Sequence, residues 1–170
     1  MVDFACVVTL DHYNVTIVTS IRVNLRMSDW LFLVHRIPAE PSAARLRVWR
    51  KMKRLGALLV RDGLWVLPAT ARTREQFQWL AGEIVEMKGE ASVWEAQAAM
   101  PGQDEQLKRR FLADADAQYA RILAELRATR SELAELSNRY ALVRSRDYFH
   151  SPVGERARKS LVATRKGRKP

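Results

Sequence analysis

The residues best suited to a chemical task are Arg47, Arg50, Lys53 and Arg54. Steps of three and four bring helical side chains onto one side. These four cations then form a row able to track phosphates along a groove wall, with Arg45 and Lys51 at its edges. Neutralising phosphates in this way is independent of base sequence and weakens as salt rises. Trp49 lies at the edge of the row and is expected to pack rather than to stack on a base. Arg156, Arg158 and Lys159 form a second cationic cluster near the C-terminus.

Catalytic chemistry has little to stand on. His12, His35 and His150 sit in three different contexts, and none has metal-ligand spacing with another His, Cys or carboxylate. His35 reads as a satisfied structural histidine of the first strand. Cys6 is the single cysteine, which excludes an internal disulfide and a cysteine metal cluster and fits a reducing cytoplasm. Neither a glycine-rich phosphate loop nor a Gly-x-Ser-x-Gly elbow is present. A metal-dependent nuclease would need an acidic residue near the end of the first strand, where Arg36 stands instead. The expectation is a protein that is not an enzyme, with no catalytic residue, no cofactor and no metal site.

Composition agrees with a polyanion partner. The 170 residues carry a formal net charge of +10 with 48% hydrophobic residues and five Trp. Such a chain can bury a core, and its charge favours nucleic acid first and an acidic membrane surface second. No apolar run approaches the ~20 residues of a membrane span, and no signal peptide is visible.

The elements that must position these residues follow from pattern. Trp30 to Ile37 is a compact apolar run, expected as a buried strand ended by Pro38 and Pro41. Ser42 suits a helix N-cap. Ala44, Val48, Met52 and Leu55 then form one apolar stripe opposite the cations, and Gly56 stops the helix. Ala57–Arg61 and Leu64–Leu67 flank Asp62-Gly63, the signature of a type I′ hairpin. Thr73 and Gln76 have capping-box spacing before a second amphipathic helix of Phe77, Leu80, Ala81, Ile84 and Met87, stopped at Gly89. Ala91 to Gln97 reads as the fourth strand. The order β-α-β-β-α-β within residues 27–100 is that of a ferredoxin-like α+β domain, an antiparallel four-stranded sheet with both helices on one face. Its open face needs a helix or another subunit. Residues 1–26, alternating apolar from Val15 to Leu25, look like a dispensable extension ahead of a natural start at Met27.

Beyond Pro101-Gly102 a long helical region follows. Leu112, Ala115, Tyr119, Ile122, Leu126, Thr129, Leu133, Leu136, Tyr140 and Val143 alternate steps of three and four over residues 101–143. That heptad pattern predicts one long helix that pairs with a second copy as a coiled coil through residues 112–143, with Glu125 and Arg130 as an interchain pair. The competing arrangement is a helix that breaks and folds back over the sheet. Residues 144–170 form a basic tail, nine Lys or Arg against Asp147 and Glu155, with a short helix over 154–163.

These residues carry a family resemblance. The run WLFLVHRIPAEPSAARLRVWRKMKRLGALLVRDGLWVLP resembles the N-terminal domain of the ChrB chromate-resistance regulators. So do EQFQWLAGEIVEMKGEASVWEA and Asp147-Tyr148-Phe149 before the Ser-Pro turn, and the likeness spans Met27 to about Ala163. A more distant similarity is to the ferredoxin-like domain of PaaX-type repressors. The resemblance implies a bacterial cytoplasmic protein that associates with DNA in chromate-responsive control of resistance genes. Chromate, a small dianion, would find its counter-charges among the same arginines. The alternative function is a non-catalytic protein-interaction or dimerisation module whose basic surface is incidental.

Overall fold

The computed structural model describes residues 6–7, 18–19, 30–40, 42–128 and 132–167. Two short strands, β1 (Cys6–Val7) and β2 (Val18–Thr19), pair antiparallel. The rest of the alternating N-terminal segment, His12 and the proposed start at Met27 lie outside the described residues.

The main body is a four-stranded antiparallel sheet of β3 (Trp30–Arg36), β4 (Leu58–Arg61), β5 (Leu64–Pro68) and β6 (Glu90–Ala96), in the order β4-β5-β3-β6. With α1 (Ser42–Leu55) and α2 (Ala71–Glu86) in the connections, this is the expected ferredoxin-like topology. Residues opposed across antiparallel strands share a face. Leu31 and Leu33 of β3 therefore lie with Leu67 and Trp65 of β5. All four are buried in one cluster with Val48 and Met52 of α1 and Phe77, Leu80 and Ile84 of α2.

Three local details differ from the expectation. In the β4–β5 hairpin only Gly63 takes positive φ (71°), so the turn is not type I′, and the register shifts between Leu59 and Arg61. A Cβ at Gly63 would also stand 2.4 Å from the carbonyl oxygen of His35, whose own amide donates to Gly63 O at 2.8 Å. The capping box of α2 is Thr70 with Thr73, not Thr73 with Gln76. Thr73 N donates to Thr70 Oγ1 at 3.1 Å and Thr70 N to Thr73 Oγ1 at 2.9 Å. At the end of α2 the left-handed residue is Lys88 (φ 59°), with Gly89 one position later. Gly89 is needed there because a Cβ would meet Arg36 O and Ile84 Cγ2 at 2.8 Å.

The largest correction concerns the helical region. The single helix expected over 104–143 is two: α3 (Gln103–Arg127) and α4 (Leu133–Arg144). They pack on each other and on α5 (Pro152–Gly167). The seam residues Ala115, Tyr119, Ile122, Leu136 and Val143 are buried together with Ala157 and Leu161 of α5. The 3-4 pattern marks the buried face of a helix but not what covers it. Here the same chain covers it, and the seam is not free for a second copy. Arg139 of α4 pairs with Glu125 of α3 at 2.9 Å, in place of the expected interchain pair. Thr129 and Arg130 lie outside the described residues. The segment expected as a basic tail is largely α5, which continues through Gly167. Its Gly154 approaches Tyr119 so closely that a Cβ would stand 2.6 Å from the ring.

The helical module and the sheet meet at aromatic residues. On the sheet face opposite Leu31, Trp30 stacks on Phe111 of α3 with ring centres 5.9 Å apart, and its indole N–H donates to Asp104 at 2.7 Å. Tyr148 and Phe149, between α4 and α5, complete the cluster around Phe111. α3 thus covers one end of the open sheet face. At the other end Val34 stays 43% exposed.

Candidate nucleic-acid interface

The stripe of α1 decides where its cations point. Val48 and Met52 are buried, which turns Arg47, Arg50, Lys53 and Arg54 outward. All four are exposed, as is Arg45. Arg45, Arg47, Arg50 and Arg54 engage no acidic side chain among the described residues. Lys51 differs. It lies on the flank facing α2 and pairs with Glu83, so its charge is partly neutralised there. Lys53 reaches the other flank, where its ammonium lies 5.9 Å from the centre of the Trp65 ring.

The end of α1 is held unusually well. Ala57 N donates to Met52 O at 3.0 Å and Gly56 N to Lys53 O at 3.2 Å, with Gly56 at φ 74°. That is the glycine-terminated C-cap in which both last amides turn back on the helix. Two side chains from the α4–α5 connection add to the cap, one sharing the Lys53 carbonyl and one taking that of Leu55. Arg146 Nη1 donates to Lys53 O at 3.0 Å, and Tyr148 Oη donates to Leu55 O at 2.7 Å. Burial raises the Tyr148 pKa, so its hydroxyl stays a donor. A guanidinium at a helix C-terminus also meets the negative end of the dipole.

The connection itself is fixed by Asp147, which is 6% exposed. Its carboxylate accepts from Ser151 N at 3.1 and 3.0 Å and from Tyr119 Oη at 3.2 Å. Burial, and then the neighbouring Asp147 charge, push the Tyr119 hydroxyl far above its ordinary pKa, so it too remains a donor. Ser151 in turn caps α5, its Oγ accepting from Val153 N at 3.0 Å and Gly154 N at 3.1 Å. The run Asp147-Tyr148-Phe149 therefore locks the helical module to the sheet and to the end of α1.

Of the second cluster, Arg156, Arg158 and Lys159 are exposed on α5. Arg158 is paired with Glu155 at 2.7 Å; that hydrogen bond raises the arginine and lowers the carboxyl from their usual values. α5 packs on α3 and α4, so these three stand apart in the fold from the cations of α1.

The sequence reading missed what lies beside α1. Trp49 does not pack inward but is 49% exposed. It lines an open cavity of about 730 Å³ between α1 and the β4–β5 hairpin, with Arg45, Leu46, Leu59 and Trp65. His35 also lines this cavity, yet both its ring nitrogens are shielded and without a hydrogen-bond partner. It is therefore not the satisfied histidine that the sequence led us to expect. The missed signal was position: Trp49 falls a quarter-turn from the buried stripe, on the flank toward the hairpin. A second groove at the end of α1, lined by Lys53, Gln118, Arg121 and Arg146, was also not legible, because its residues come from three segments. His150 is exposed, with Nδ1 3.1 Å from Arg144 Nη1. No group of three or more His, Cys, Asp or Glu among the described residues could hold a metal ion. No helix among them is long and apolar enough to cross a membrane.

Comparison with known proteins places these elements in a family. Residues 45–136, more than half of the chain, match the family model described as Protein ChrB, N-terminal. They run from the first cation of α1 to the middle of the buried α3–α4 seam. A curated Protein ChrB from Cupriavidus metallidurans is 36% identical over 106 residues, covering 62% of this chain and 32% of that protein. The chain thus spans about a third of the length of the relative it matches. No solved structure matches.

Proposed function

The chain belongs to the family of ChrB N-terminal domains, and from that premise we propose that it is a non-catalytic, DNA-associated regulatory protein of chromate resistance. DNA lies against the outward face of α1, with Arg45, Arg47, Arg50, Lys53 and Arg54 on phosphates. The observation that carries this reading is that Arg47, Arg50 and Arg54 are exposed in a row and answered by no acidic side chain among the described residues. A merely solubilising face tends to interleave both signs. The doubly fixed end of α1 supports it, because a rigid helix presents its cations at constant spacing. Lys51 contributes less, being held by Glu83. The cations of α5 add a second contact. A cytoplasmic location follows from this role.

The test is a salt titration of binding to DNA from the promoter region of the neighbouring genes. The intact chain should show a steep fall of affinity with salt. The triple variant R47Q/R50Q/R54Q should bind more weakly, with a slope shallower by about 2–3, one counterion released per lost phosphate contact. An unchanged slope removes α1 as the contact surface.

A second reading, a protein-interaction module, is favoured by one observation. On the open sheet face Trp94, opposite Phe32, is 61% exposed, and Val34 nearby is 43% exposed. Under this reading Trp94→Ser would abolish partner capture and leave DNA affinity and its salt slope unchanged.

A further inference from the structure

Trp49 poses a question that phosphate contacts alone do not answer. A duplex offers a groove wall its phosphates and base edges, while the flat faces of its bases are stacked inside. Cations suffice for that encounter. Yet α1 carries a half-exposed indole amid its cations, with Arg45 one turn before it and Lys53 one turn after. Trp79 and Trp94 are more exposed, at 71% and 61%, so what sets Trp49 apart is its place between two cations and beside a cavity.

The indole borders an open cavity of mixed lining: Leu46 of α1 and Leu59 and Trp65 of the hairpin supply its apolar surface, and His35, Ser42, Arg45 and Asp62 its polar one. At about 730 Å³ it has room for a base and its sugar. Lys53, set over the Trp65 ring, holds a second positive charge nearby. Aromatic platforms flanked by cations are how proteins hold unpaired nucleic acid: the base stacks, and the backbone follows the positive charge.

We propose that this cavity takes an unpaired base, so that the nucleic acid held along α1 is single-stranded or opened at that point. The base stacks on Trp49 and is enclosed by Leu46 and Leu59. The flanking phosphates lie on Arg45 and Lys53, which continue into Arg50 and Arg54. This deepens the assignment of α1 as the nucleic-acid face and rests on it. The occupant is chosen by charge complementarity, since an apolar peptide would leave the cations at the rim without counter-charge.

The experiment measures the affinity of the full chain for a labelled single strand and for the duplex of the same length and sequence. The single strand also carries 2-aminopurine. Wild type, Trp49→Ala, Trp49→Phe and the triple arginine variant are titrated at two salt concentrations. Thermal unfolding confirms that each variant folds. The expected result is tighter binding of the single strand, with quenching of 2-aminopurine. Trp49→Ala should weaken that binding ~10-fold and remove the quenching, with the salt slope unchanged, the loss of one stacked base. Trp49→Phe should retain most of both. Equal or tighter duplex binding, with Trp49→Ala silent, overturns the pocket proposal while a steep arginine-dependent salt slope keeps the DNA reading. Loss of the salt slope itself, with neither nucleic acid bound, removes both.

Discussion

Both ring nitrogens of His35 are closed off from water without a hydrogen-bond partner. An unmet polar group of this kind costs about 1–3 kcal/mol. Protonating it would cost more, and burial accordingly lowers its pKa below the ordinary 6.5. The unfolded chain therefore binds this proton more readily than the folded one. The stability is fully present above pH 6.5 and is lost as pH falls through the lowered value. His35→Leu should flatten this dependence. Thermal unfolding between about pH 7.5 and about pH 5.5 should lower the melting temperature more in wild type than in the variant. An equal drop would remove His35 as the source. The sequence showed this histidine at the end of an apolar strand, but not that its ring turns to the helix side, where no partner waits. Trp49 shows the same limit: its type was plain, whereas its exposure depends on a hairpin that approaches from elsewhere in the chain.

At the scale of elements, local pattern was a sound guide to existence and a poor one to detail. The stripe Val48-Met52 and Phe77, Leu80 and Ile84 of α2 are buried as their periods required, whereas Val34 of the β3 run, expected to be buried throughout, is 43% exposed. Helix ends were harder, because a glycine can serve two purposes. Gly56 is a true left-handed stop, while Gly89 is a close-approach glycine and Lys88 bears the strained dihedral. Lys88 N donates to Val85 O and Gly89 N to Ile84 O, each at 2.9 Å, so the stop is well made despite its residue. A non-glycine residue in the left-handed region loses about 1–2 kcal/mol, and glycine returns part of that as unfolded-chain entropy. Lys88→Gly should thus stabilise the protein by about 0.5–1 kcal/mol, read by urea denaturation. No gain would mean that the lysine side chain makes up the difference.

For the whole molecule, the heptad seam identified most of the residues of α3 and α4 that are inside, but missed the break between the two helices and misjudged whose surface they meet. Nothing in residues 112–143 distinguishes a partner chain from α5, because α5 begins after the pattern ends. The packing of α3, α4 and α5 joins an apolar cluster to one buried polar tie, Asp147, the acceptor shared by Ser151 and Tyr119. Asp147→Ala leaves two buried donors unmet and should cost about 2–4 kcal/mol in urea denaturation. Asp147→Asn should cost less, and a loss below about 1 kcal/mol in the alanine variant would show the network to be dispensable. The cap on α1 carries a further consequence for biosynthesis. The carbonyls of Lys53 and Leu55 receive partners 93 positions downstream, in Arg146 and Tyr148. Domains form from the N-terminus as the chain is synthesised. The cationic helix thus emerges early yet is not completed until the translating ribosome has released the chain through Tyr148, 93 positions beyond Leu55. A nascent chain stalled before Arg146 would display the charges without the brace that sets their spacing.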